Sequence, residues 1–134
     1  MTEQLMTIRE MCDAYDVTPR TLRFYEQKEL LAPIRQGTRR LFTRRDRARL
    51  QLILRGKRFG FSLEEIRQLL DLYAIGDGQV AQMTRAREMG RERLAALEEE
   101  RGRLDAAIEE LKTQLAEVER RLSDTRGADN DAAA

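Results

Sequence analysis

The stretch that decides the fold is Thr18-Pro19-Arg20-Thr21-Leu22-Arg23-Phe24-Tyr25-Glu26. Thr18 is a good N-cap, because its hydroxyl can accept an orphan backbone N–H of the first turn. Pro19 suits the first helical position, where no backbone donor is needed. The spacing predicts a helix from Pro19 to about Lys28. Just upstream, Thr7-Ile8-Arg9-Glu10 reads as a capping box. Ile8, Met11, Cys12 and Tyr15 then fall on one helical face. Cys12 reads as a small buried hydrophobe, since Asp13 and Asp16 lie beside it where a reactive thiol needs cations.

Two short helices meeting at a tight turn form a helix-turn-helix, whose second helix enters the major groove. Arg20 and Arg23 suit that position, because a guanidinium bonds guanine O6 and N7 together. Thr18 and Tyr25 offer hydroxyls to phosphates, and Thr21 lies beside them. One of Phe24 and Tyr25 is expected to pack with Leu22 and Leu30, and the other to face the DNA backbone.

Downstream, Pro33 stops the helix and Gly37 marks a turn between segments 33–35 and 39–42. This pattern predicts a small two-stranded hairpin, or wing. The period of two points Leu41 inward and Arg40 outward. Arg39 and Arg40 at its base could grip a phosphate or enter the minor groove. A third helix is expected from Arg44 to about Arg58, with Asp46 favouring its positive end. Leu50, Ile53 and Leu54 form its inner stripe. Gly60 ends it, and Ser62 with Glu65 forms a capping box for a fourth helix. The buried stripe of that helix is Leu63, Ile66, Leu69, Leu70 and Tyr73. The intervening turn carries Lys57 and Arg58, beside a helix N-terminus where an anion could sit.

Composition agrees with a helical, polyanion-binding reading. Of the 134 residues 37% are charged and only 5% aromatic, as in helical chains with thin cores. The net charge of +1 hides a split. Residues 1–75 hold 15 basic and 10 acidic residues, and residues 76–134 hold 10 and 14. Residues 18–58 alone hold 13 basic and 3 acidic residues. With no His and a single Cys, histidine-dependent nucleophilic catalysis, a zinc site and an internal disulfide are excluded. No enzyme activity, metal or cofactor is therefore expected. No apolar run is long enough for a membrane span, and Met1-Thr2-Glu3-Gln4 lacks a signal-peptide pattern. The expected location is the cytoplasm, at the nucleoid.

Beyond Tyr73, Gly76-Asp77-Gly78 reads as a hinge, and a heptad follows. Leu94, Arg101, Ile108, Leu115 and Leu122 fall on a positions; Leu97, Leu104, Leu111 and Val118 fall on d positions. That seam of ~43 Å, at 1.5 Å per residue, needs a partner helix. The physical expectation is a dimer. The chain thus divides into a mostly α head with a winged helix-turn-helix (5–75), a hinge and helix start (76–93), a coiled-coil dimerisation helix (94–122) and a disordered tail (123–134).

In motif order and spacing, residues 5–75 resemble the DNA-binding domain of the MerR family of bacterial transcription regulators. The resemblance rests on the 18–26 string, Leu30-Leu31, Arg39-Arg40-Leu41-Phe42, Asp46 through Arg49-Leu50, and Gly60-Phe61-Ser62-Leu63-Glu64-Glu65-Ile66. Two positions depart from the family pattern. Glu29 stands where a Gly is usual, and Arg40-Leu41 lack the aromatic residue common in the wing. Residues 44–73 look most like regulators of leucine, isovalerate and acyclic terpenoid catabolism. The resemblance implies an antiparallel homodimer that binds double-stranded DNA at a pseudo-palindromic promoter site. It further implies distortion of that duplex for RNA polymerase. A separate ligand-binding domain is not expected, nor metal sensing through cysteines near the long helix. A coiled-coil interaction adaptor with a basic head is the alternative reading.

Overall fold

Four helix starts in the N-terminal half are each set by a side chain that closes on the backbone. The computed structural model describes residues 4–74 and 80–133. The order is β1 (Met6–Thr7), α1 (Ile8–Tyr15), α2 (Pro19–Gln27), β2 (Ile34–Gln36), β3 (Arg39–Phe42), α3 (Arg44–Phe59), α4 (Leu63–Ala74) and α5 (Val80–Ala133). Thr7 and Glu10 form the capping box of α1, with reciprocal bonds of 3.2 and 2.9 Å. Thr18 caps α2 by accepting from the Thr21 N–H at 3.2 Å, with Pro19 in the first turn. Thr43 and Asp46 box α3, and Ser62 and Glu65 box α4. Each such cap contributes about 1 kcal/mol.

The wing is larger than the hairpin expected from the sequence. The sheet has three antiparallel strands in the order β1-β3-β2. The added strand β1 pairs Met6 with Phe42 and Thr7 with Leu41. Two residues are too few to carry an alternation pattern, so no periodicity announces them. Gly37 takes φ 62° in the turn between β2 and β3, a left-handed value that suits glycine.

The core lies where α1, α2, α3, α4 and β3 meet. Met11, Leu22, Tyr25, Phe42, Leu50, Ile53 and Ile66 are buried there. The α3–α4 contact is close, because Gly56 lets Ile66 approach. Leu69 and Leu70 are buried as expected, but Tyr73, placed on the same stripe by its spacing, is 64% exposed. It lies in the last turn of α4, beyond the reach of that core. Cys12 packs against the core, and burial, aided by the Asp13 charge, pushes its thiol up from the ordinary value.

The α2 exit shows what the first departure from the family pattern entails. Glu29 adopts φ 62°, the left-handed conformation that a glycine takes more easily. The chain on either side of it is tied down, from α3 after it and from α4 before it. The Ala32 N–H donates to Asp46 Oδ1 at 3.0 Å, and Arg49 Nε donates to the Leu30 carbonyl at 2.7 Å. Arg67 donates to the Lys28 carbonyl. These bonds hold the left-handed residue in place.

The chain forms two units, Met1–Gly90 and Arg91–Ala134. The hinge expected at 76–78 lies outside the described residues. In the second unit α5 is a single helix with exposed charged residues and a half-exposed apolar stripe. It continues to Ala133, whereas composition pointed to a disordered tail from 123. No proline interrupts it there. No helix among the described residues is long and apolar enough to cross a membrane.

Candidate nucleic-acid interface

Helix α2 presents two different faces. Leu22 and Tyr25 point into the core, while Arg20, Arg23 and Phe24 are exposed on the other side. Of the aromatic pair, Tyr25 is thus the one that packs. At 1% exposure its hydroxyl cannot reach a phosphate, which corrects its assignment as a DNA contact. The reason is the spacing, since Leu22 and Tyr25 are i and i+3 and share the buried face. Phe24 is 40% exposed, with Lys28 Nζ 5.7 Å from its ring centroid. The Thr18 and Thr21 hydroxyls lie 2.9 Å apart and bond each other at the cap.

The wing stands beside this face. A groove of about 260 Å³ is lined by Thr7, Ile8, Arg23, Thr38, Arg39 and Arg40. It brings together three of the cations expected at the interface, Arg23, Arg39 and Arg40, from α2 and β3. Thr7, Ile8 and Thr38 were not anticipated there. Thr38 had a signal in the sequence, as the turn residue before Arg39. Thr7 and Ile8 had none, because only the packing of α1 against the sheet places them.

Arg40 is oriented differently from the expectation. Phe42 is fully buried, and alternation puts Arg40 on the same face of β3 as Phe42. Leu41, expected to point inward, is only half-buried, on the opposite face. The larger apolar area of Phe42 decides which face meets the core. Arg40 consequently turns toward α2, where its Nε donates to Glu26 Oε2 at 2.5 Å. Arg35 Nε donates to the other oxygen, Glu26 Oε1, at 3.1 Å. Burial alone would raise the Glu26 carboxyl. Arg40 and then Arg35 outweigh it and hold the group below its ordinary value. The stabilisation from this cluster is therefore present at neutral pH. It is lost as the pH falls through that depressed value.

Lys57 and Arg58 are exposed in the last turn of α3. Lys57 Nζ lies 5.8 Å from the Tyr25 ring centroid, close to α2. Arg58 does not line the groove between α2 and the wing. The expected dimer residues lie on α5. Leu94, Leu104, Ile108, Leu111, Leu115, Val118 and Leu122 are 49–59% exposed, and Leu97 is half-buried. Among the described residues no group of three or more His, Cys, Asp or Glu could hold a metal ion.

Comparison with known proteins agrees with this geometry. Residues 6–72 match the family described as MerR HTH family regulatory protein, and residues 47–114 match MerR, DNA binding. The chain is 40% identical over 67 residues to the HTH-type transcriptional regulator ZntR of Escherichia coli, covering 48% of each. It thus spans about half the length of the curated relatives it matches. A MerR family transcriptional regulator from Bacillus cereus is 31% identical, with a TM-score of 0.64 over 83% of this chain and 82% of that one. HiNmlR, a MerR family regulator lacking the sensor domain and bound to promoter DNA, is 28% identical. Its TM-score is 0.51 over 84% of this chain and 79% of that one. With its capped helix pair, its wing and these matches, the chain belongs to the MerR family of helix-turn-helix regulatory proteins.

Proposed function

We propose that this protein is a homodimeric, sequence-specific DNA-binding transcription regulator. It binds a pseudo-palindromic promoter site and distorts the duplex for RNA polymerase. The observation that carries the reading is the groove between α2 and the wing, where Arg23, Arg39 and Thr38 meet. Arg20 and Arg23 read base edges, while Arg39, Thr18, Thr21, Phe24, Lys57 and Arg58 hold the backbone. The family membership and the promoter-bound relative support this reading. Residues 5–75 act as the DNA-reading head and 94–122 as the dimer helix. Two heads related by a two-fold axis account for the pseudo-palindrome. The regulated genes are those of amino-acid or acyl-CoA catabolism, a reading that rests on the string similarity of residues 44–73.

The test is fluorescence anisotropy of the full chain on duplexes selected by it from a randomised pool, against a scrambled duplex, across a salt series. Preferential binding that weakens steeply with salt is expected. Equal weak binding to both duplexes would discard the sequence-specific reading.

A further inference from the structure

We infer that Glu26 is a positioning residue for DNA discrimination: it locks the wing to α2 and withholds Arg35 and Arg40 from the phosphates. The inference rests on the DNA-reading function proposed above. Its first support is the sheet register. Arg35 and Arg40 are direct cross-strand partners of β2 and β3. Like charges placed opposite each other destabilise a strand pair. Glu26 resolves that conflict from a third element, α2, by accepting from Arg35 on one oxygen and from Arg40 on the other. The Glu26 and Arg40 side chains are 18% and 20% exposed, so this pair is largely shielded from water, and Arg35 at 53% is its outer arm.

The second support is the scarcity of acid there. Residues 18–58 hold only three acidic side chains. Asp46 is committed to Thr43 and Ala32, and Glu29 is exposed at the α2 exit. Glu26 alone of the three pairs with the wing. A surface built only for affinity gains nothing from a carboxylate behind its arginines, because phosphate attraction grows with each free cation. Phosphate attraction carries no sequence information, whereas base reading requires Arg23 and the wing to be held in fixed register. Glu26 therefore acts in opposite directions on the two parts of binding. It lowers binding to any duplex and raises the preference for the right one.

Glu26→Gln keeps the shape and removes the charge. Anisotropy of the full chain on the selected and scrambled duplexes, across salt, reads both parts. The expected result is tighter binding to the scrambled duplex and a salt slope steeper by about 1 to 2. The preference for the selected duplex should fall about tenfold. A parallel loss on both duplexes with an unchanged slope, or a preservation of the preference, would overturn the inference. Glu26→Gln/Arg40→Gln guards against a folding defect, since it removes a released cation together with its acceptor. That variant should lose the preference with a smaller change of slope, and a retained preference would equally overturn the inference. A wild-type chain without any preference would overturn the DNA-reading function itself, and this inference with it. A preference in the wild type that both variants keep would remove this inference alone.

Discussion

In the head, Phe42, Leu50 and Ile53 are 0% exposed, whereas Ile108, Leu111 and Leu115 on α5 keep 49%, 59% and 52% of their surface exposed. The side chains are of the same kind, but their surroundings differ. Five elements of the head converge on one core, so its apolar surface is removed from water within a single chain. The distal part of α5 is one helix, and its a and d residues have nothing in their own unit to cover them. The acids differ in the same way. Asp46 is 3% exposed and accepts from the Thr43 N–H, the Thr43 hydroxyl and the Ala32 N–H. On α5, Glu99, Glu109 and Glu117 pair with Arg or Lys three or four residues away, fully within the helix surface. Such pairs contribute about 0.3–0.5 kcal/mol each. The head is thus held by its own tertiary contacts, and the distal part of α5 carries apolar surface that its own unit leaves exposed.

The largest effect that could break this contrast is Leu111→Glu. A charge at the centre of the seam should give monomers in sedimentation and weaken duplex binding at least about a hundredfold. The urea unfolding of the head should not move. A dimer that survives the substitution would disprove the heptad register. Asp46→Ala comes next and attacks the head. It leaves the Thr43 and Ala32 backbone donors without their acceptor, so a loss of about 3 kcal/mol is expected in urea unfolding. A loss below about 1 kcal/mol would mean that water replaces the carboxylate. Gly56→Ala is smaller. Its Cβ would sit 2.9 Å from Ile66 Cγ1, and Ile66 is itself fully packed at 1% exposure. About 2 kcal/mol should be lost, with no change in oligomeric state. An unchanged midpoint would show that the α3–α4 contact can open without cost.

Glu29→Gly should have the smallest effect and the opposite sign. It relieves a left-handed residue, which costs about 1 kcal/mol, but gives back part of that as unfolded-chain entropy. A gain of about 0.5 kcal/mol is expected in the same unfolding experiment. A loss would show that the Glu29 side chain makes a favourable contribution that offsets the backbone strain.

Much of the fold is written locally. Thr7 with Glu10, Thr18 with Pro19, Thr43 with Asp46 and Ser62 with Glu65 set four helix starts by contacts within three residues. Such contacts do not depend on what the rest of the chain does. The heptad of α5 and the basic block of 18–58 are equally local patterns. They were enough to define the helix order, the presence of a wing and the cations around it.

Tertiary structure decided what those side chains face. Spacing puts Tyr25, and not Phe24, on the same face of α2 as Leu22, and the position of the core against α2 makes that face the buried one. Arg40 was expected to point outward, and the burial of Phe42 on the same strand face turns it toward Glu26. The strand β1 exists only because β3 offers it an edge. Glu29 can hold a left-handed conformation because Asp46, Arg49 and Arg67, distant in sequence, fasten the segment around it. The helix starts and the apolar and basic stripes are legible in the chain order alone, because each depends on neighbours a few residues away. The orientation of Arg40, the burial of Tyr25 and the third strand needed the tertiary structure, because each depends on competition for one shared core.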